Sequence, residues 1–108
     1  MKFSFDTKGK ELTEMVNNLK AGEVLLVENT RFEDIEGKKE SNCNLNLAKY
    51  WASLGNIFIN DAYGSCHRNH ASVTGIPKYL PSGVGFLVEK EIKKLDNILN
   101  SSTHPFIV

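Results

Sequence analysis

The chain has 108 residues, 41% of them hydrophobic, with 13 basic and 13 acidic side chains and no formal net charge. That length holds one domain at most, or a piece of one, with enough apolar material for a core. Charge balance argues against a general binder of nucleic acid or of membrane surfaces. Cys43 and Cys66 lie far apart, form no CxxC motif and read as free thiols of a reducing compartment. No apolar run is long enough to span a bilayer, and the opening MKFSFDTKGK lacks the apolar stretch of a signal peptide. A cytoplasmic location is therefore expected.

Lys2 to Phe5 reads as a short strand with Phe3 and Phe5 alternating. In KELTEMVNNLK, Leu12, Met15, Val16 and Leu19 recur at helical spacing. Asp6 or Thr7 is positioned to cap that helix, and Gly22 fits a left-handed position past its end. EVLLVEN carries a continuous apolar run from Val24 to Val27, which predicts a strand covered on both faces. Residues 31–44, RFEDIEGKKESNCN, are polar and read as a solvated loop apart from Arg31.

NLNLAKYWASLG is the next helix, with Leu47, Trp51 and Leu54 as its stripe and Gly55 as its stop. NIFINDAYG follows as a second apolar strand centred on residues 57–59. ASVTGIPKYLPSG is punctuated by Gly75, Pro77 and Pro81 and holds only a turn or two of helix. GFLVEKEIKKLDNILN is the longest helix. Val88, Ile92, Leu95 and Leu99 mark one face, and Glu89 and Lys93 form an i, i+4 pair. After the turn SSTH, PFIV reads as the start of another strand. The alternation of strands and helices predicts an α/β fold: a Rossmann-like parallel sheet with helices on both faces, present as a partial domain. The chain ends inside the apolar run Phe106–Val108, so it reads as a segment of a longer protein.

Ligands of open parallel sheets bind outside the carboxyl ends of the strands. EVLLVEN runs into Thr30-Arg31, and NIFINDAYG runs into Ser65-Cys66-His67-Arg68. Were the two strands neighbours, ~4.8 Å apart, Arg31 and Arg68 would converge on one ligand with His67 and His70 beside them. Two guanidiniums aimed at one point match phosphate or carboxylate. The plainer alternative makes both arginines surface residues paired with Glu28, Glu33, Asp34 or Asp61. Cys66, His67 and His70 also have the donor types of a metal site, though not a recognised spacing, and no metal is expected. Cys66 beside His67 and Arg68 has the surroundings of an activated thiol, against the simpler role of a small buried one. Asn60 and Asp61 either touch a ligand or form the turn. Neither GxGxxG nor GxxxxGK[ST] follows a strand.

GEVLLVENTRFEDIEGKKES, followed by YWASLGNIFINDAYGSCHRNHASVTGIPKYLPSGVGFLVEKEI, resembles phosphoglycerate kinase. That family carries an ENxRF segment, then NDAFGxxHRxHAS, a GFLMEKE-like helix start and a PF-apolar strand. The likeness is close from Gly22 to Val108 and looser before it. It implies transfer of a phosphoryl group between ATP and 3-phosphoglycerate, giving 1,3-bisphosphoglycerate, and the reverse reaction in glycolysis. It implies that Arg31 and Arg68 bind substrate, with His67 and His70 in the same basic patch. Residues 1–85 then correspond to part of the N-terminal, phosphoglycerate-binding domain, 86–100 to the interdomain helix and 101–108 to the entry of the following strand. Tyr63, Ser65, Cys66 and Asn69 depart from the family's common pattern without removing charge.

The family's DxNVP-type strand, SHLGRP-type segment and GGAKV-type segment are not in this sequence. Nor are the arginine and lysine that the family brings to the transferring phosphoryl group. Mg-ATP or Mg-ADP would thus be held by a domain outside this segment, no catalytic residue is expected within it, and the segment alone is expected to be inactive. Its expected partners are 3-phosphoglycerate and 1,3-bisphosphoglycerate. The parent enzyme would be monomeric, and the segment would self-associate through exposed strand edges. The alternative is a non-catalytic anion-binding or interaction module derived from the enzyme.

Overall fold

A computed structural model describes residues 1–100. The expected strand at Pro105–Val108 lies outside them. In chain order the regular elements are β1 (Lys2–Ser4), α1 (Lys10–Asn17), β2 (Leu25–Val27), α2 (Leu45–Ser53), β3 (Phe58–Asn60), β4 (Ser82–Val84) and α3 (Phe86–Asn100). A 3-10 turn at Thr30–Asp34 follows β2, and another at Tyr63–Ser65 follows β3. A π-turn at Ala71–Gly75 runs into a 3-10 turn at Ile76–Lys78, matching the short, Pro-punctuated segment expected there. The strand β4 was not anticipated; its residues Ser-Gly-Val carry little strand signal of their own.

The helix α1 is amphipathic as its spacing predicts, and it buries Leu12 completely. Full burial of one leucine stabilises by about 1.5–3 kcal/mol. Its start differs from expectation, because Gly9 occupies the N-cap and no side chain caps it. Thr7 instead donates its hydroxyl to Glu33, and its carbonyl accepts from Trp51 Nε1 at 2.7 Å. Gly22 does take the left-handed backbone, with φ +85°. At α2 the Asn44 side chain accepts from the Leu47 amide at 3.0 Å, closing the first turn.

The strands form two separate two-stranded parallel sheets among the described residues, β1 with β2 and β3 with β4. Lys2 pairs with Leu25 and Ser4 with Val27; Phe58 pairs with Ser82 and Asn60 with Val84. The fold is α/β with parallel strands, a partial Rossmann-like domain. The adjacency of β2 and β3, on which the convergence of the two arginines was premised, is not found among the described residues: β2 bonds to β1 and β3 to β4.

One further expectation needs correction. The run Val24–Val27 is not covered on both faces, since Val24 is 59% and Leu26 50% exposed. On α3 only Val88 is buried, while Ile92, Leu95 and Leu99 face solvent. The core is small: Leu47, Ala48 and Ala71 pack together, with Trp51 against them. Gly75 lets the π-turn sit on α2, because a Cβ there would meet the Ala48 Cβ at 2.6 Å. The radius of gyration is 16.8 Å, against about 13 Å for a compact domain of this length. Apolar faces that elsewhere make a second layer therefore stand open.

The segment expected to be a solvated loop contains two buried carboxylates, Glu33 and Glu40. Glu33 accepts from Thr7 and, at 2.7 Å, from Lys8, tying the turn after β2 to the loop after β1. Burial alone would raise the Glu33 carboxyl. The hydrogen bonds from Lys8 and Thr7 outweigh it and hold the group below its ordinary value of 4.5. Lys8 is raised above 10.5, chiefly by the same hydrogen bond to Glu33.

A depressed carboxyl contributes stability that is present above its unfolded value and lost as pH falls through its folded value. The raised ammonium contributes below 10.5, and that part is lost only in strong alkali. The thermal midpoint should therefore begin to fall as the pH drops below 4.5. Glu33→Gln should fall less steeply; equal acid slopes in wild type and variant would count against this account.

Candidate anion-binding site

Beyond β2 come Asn29, Thr30 and Arg31; β3 ends at Asn60, and Asp61 and Ala62 follow it. Both sets line one cavity of about 480 Å³ at the carboxyl ends of the strands. Arg31, Arg68 and His70 line it too. The cavity thus bridges the two sheets without any hydrogen bond between β2 and β3. Its size suits a small ligand.

The turn after β2 is organised by its own side chains. Asn29 Oδ1 accepts from the Arg31 amide at 2.9 Å, which starts the 3-10 turn. Arg31 Nε donates to Asp34 Oδ2 at 2.7 Å. The surface-pair alternative therefore describes one contact of Arg31. That contact uses Nε, while the side chain also borders the cavity. Asp34 is fixed from the other side by the Ser41 amide, at 2.8 Å on Oδ1. Its carboxyl lies below the ordinary 3.8, mainly through that amide and further through Arg31.

Arg68 sits in the turn after β3, its amide donating to the Ser65 carbonyl at 3.0 Å. Its guanidinium makes no ion pair among the described residues. His70 is 9% exposed, and its Nδ1 lies 3.7 Å from Glu40 Oε1. His67 is exposed and does not border the cavity, so only one of the two histidines joins the arginines. Cys66 is an exposed free thiol rather than a buried one, donating weakly to the Ala62 carbonyl at 3.5 Å. Among the described residues no three His, Cys, Asp or Glu side chains are grouped as metal ligands.

Two acids were underrated by the sequence. Glu40 is 1% exposed and borders the cavity from within the polar run. No hydropathic signal marks it, because a lone carboxylate among lysines looks solvated. Asp61 proves to be neither simple turn-former nor free ligand contact. Its Oδ1 accepts from the Leu87 amide at 2.8 Å and the Val88 amide at 3.3 Å, capping α3. Asn60 is the turn-former, its Oδ1 accepting from the Ala62 amide at 2.9 Å.

The family model described as phosphoglycerate kinase matches residues 1–108. The chain belongs to the phosphoglycerate kinase family. It is 54% identical over 107 residues to the phosphoglycerate kinase of Listeria innocua and 49% identical over 107 residues to that of Macrococcus caseolyticus. Each alignment covers 99% of this chain, and the chain spans 27% of each relative's length. The crystal structure of phosphoglycerate kinase from Pyrococcus horikoshii superposes with a TM-score of 0.80 at 32% identity, over 96% of this chain and 26% of that one. The structure of phosphoglycerate kinase from Coxiella burnetii gives 0.76 at 29% identity, over 96% and 25%. No helix among the described residues is long and apolar enough to cross a membrane.

Proposed function

We propose that this chain supplies part of the 3-phosphoglycerate-binding surface of a phosphoglycerate kinase. The observation that carries the reading is the meeting of Arg31 and Arg68 on one cavity, in a chain of this family. Each guanidinium presents a planar fork of donors suited to phosphate or carboxylate oxygens. Arg31 gives its Nε to Asp34 and still borders the cavity, while Arg68 has no competing ion pair among the described residues. His70 lines the same wall.

In the reaction proposed for the whole protein, a phosphoryl group passes between ATP and 3-phosphoglycerate, giving 1,3-bisphosphoglycerate. The part played by these residues is to bind and orient the phosphate end of the glycerate. Positioning and electrostatics supply most of the catalysis in such transfers. The described residues offer no carboxylate cluster for Mg²⁺. Nucleotide and metal are assigned to a part of the protein outside this chain, and turnover by the chain alone is not expected. Residues 1–85 are read as substrate domain and α3 as the helix leading to the second domain. A cytoplasmic setting accords with the two free thiols.

Calorimetric titration of the chain tests the reading. Weak saturable binding of 3-phosphoglycerate, weaker binding of inorganic phosphate and none of ATP are expected. Equal responses to all three would reject it.

A further inference from the structure

Glu40 joins the two arms of the cavity. Its carboxylate accepts from the Ser72 amide at 3.0 Å and from the Ser72 hydroxyl. Oε1 also accepts from the Thr30 hydroxyl at 3.3 Å and lies 3.7 Å from His70 Nδ1. Its backbone carbonyl accepts from the Ala71 amide at 2.8 Å. Thr30 immediately precedes Arg31, and His70 to Ser72 begin two residues after Arg68. On the outer side, Ser41 next to Glu40 donates to Asp34, which holds Arg31. One carboxylate and its neighbour thus bond to both arginine-bearing segments, although the strands beneath do not pair.

We propose that Glu40 is a positioning residue for the anion site: its buried carboxylate sets the spacing between the Arg31 segment and the Arg68 segment. The inference rests on the reading of the cavity as an anion site, and it runs against simple electrostatics. A negative group on the wall of such a cavity repels the ligand, so its presence there calls for a structural return. That return is the satisfaction of three donors drawn from two segments, the Thr30 hydroxyl and the Ser72 amide and hydroxyl, with His70 close by, a buried network whose members support one another.

The opposing signs make the test. The whole chain is prepared as wild type, Glu40→Gln, Thr30→Val and the double variant, with folding checked by circular dichroism. If Glu40 only repels, Glu40→Gln tightens 3-phosphoglycerate binding. If Glu40 positions, Glu40→Gln weakens binding about three- to tenfold despite the lost negative charge. The double variant is then no worse than Glu40→Gln alone, since both cut one link. Equal or tighter binding by folded Glu40→Gln overturns the proposal.

A ligand-free readout separates it from the binding reading. Nuclear Overhauser contacts between Thr30 and Ser72 should be present in wild type and lost in Glu40→Gln. If wild type binds no 3-phosphoglycerate, the anion reading fails, and these contacts still decide the linkage: loss upholds it, persistence overturns it. Should Glu40→Gln not fold, Thr30→Val takes its place. It should shift the amide resonances of residues 68–72 across the cavity, and unchanged resonances there overturn the proposal.

Discussion

Arg68→Ala should weaken 3-phosphoglycerate binding by roughly tenfold to a hundredfold, because a charge-assisted hydrogen bond is worth about 1.5–3 kcal/mol. Arg68 borders the cavity opposite the β2 turn and has no ion pair among the described residues, so its fork is available to the ligand. Stability should change little, since the side chain is exposed and no described hydrogen bond is lost with it. Arg68→Lys keeps the charge and loses the fork, and it should recover only part of the affinity. The same calorimetric titration reads both variants. Wild-type affinity in folded Arg68→Ala would show that this arginine does not touch the ligand.

Gly85→Ala should destabilise the fold by about 1–3 kcal/mol, the usual cost of overpacking. A Cβ at this position would lie 2.3 Å from the Asp61 Cγ and 2.5 Å from the Asp61 Cβ. A rotation of Asp61 moves its carboxyl but not its Cβ, so backbone must shift as well. Asp61 would also have to release the Leu87 and Val88 amides and with them the cap of α3. The Gly85 amide bonds the Asn60 carbonyl at 2.8 Å, so any displacement reaches the end of β3 and the cavity floor. Urea denaturation should show a lower midpoint with little change in slope. A midpoint equal to wild type would mean that Asp61 has room the structure does not show.

Local pattern made the elements legible. The apolar spacing of Leu12, Met15 and Val16 marks α1, Asn44 marks the start of α2, and the i, i+4 pair Glu89–Lys93 closes at 2.8 Å on α3. The sheet was not legible to the same degree. Hydropathy states which residues seek burial, not whether a partner is at hand. Val24, Leu26 and Ile59 have the composition of covered strands, yet each is more than half exposed or close to it. The described residues span about a quarter of their relatives' length and do not include a layer to cover these faces.

The site divides along the same line. Arg31, Arg68 and His70 stand out by residue type at strand ends, and they do border one cavity. His67 stands out equally and points elsewhere, because a one-residue step along a turn changes the direction of a side chain. Glu40 itself, and the capping role of Asp61, escaped notice for a physical reason. A buried carboxylate is recognised by its donors, and those donors come from Thr30, Ser72, Leu87 and Val88, each distant in sequence.

The shared cavity is tested most directly by following the 3-phosphoglycerate titration through the side-chain Nε resonances of Arg31 and Arg68 in the labelled chain. Both resonances should move together and give one dissociation constant. Movement of only one, or of neither while binding is saturable, would contradict a single anion held between the two arginines.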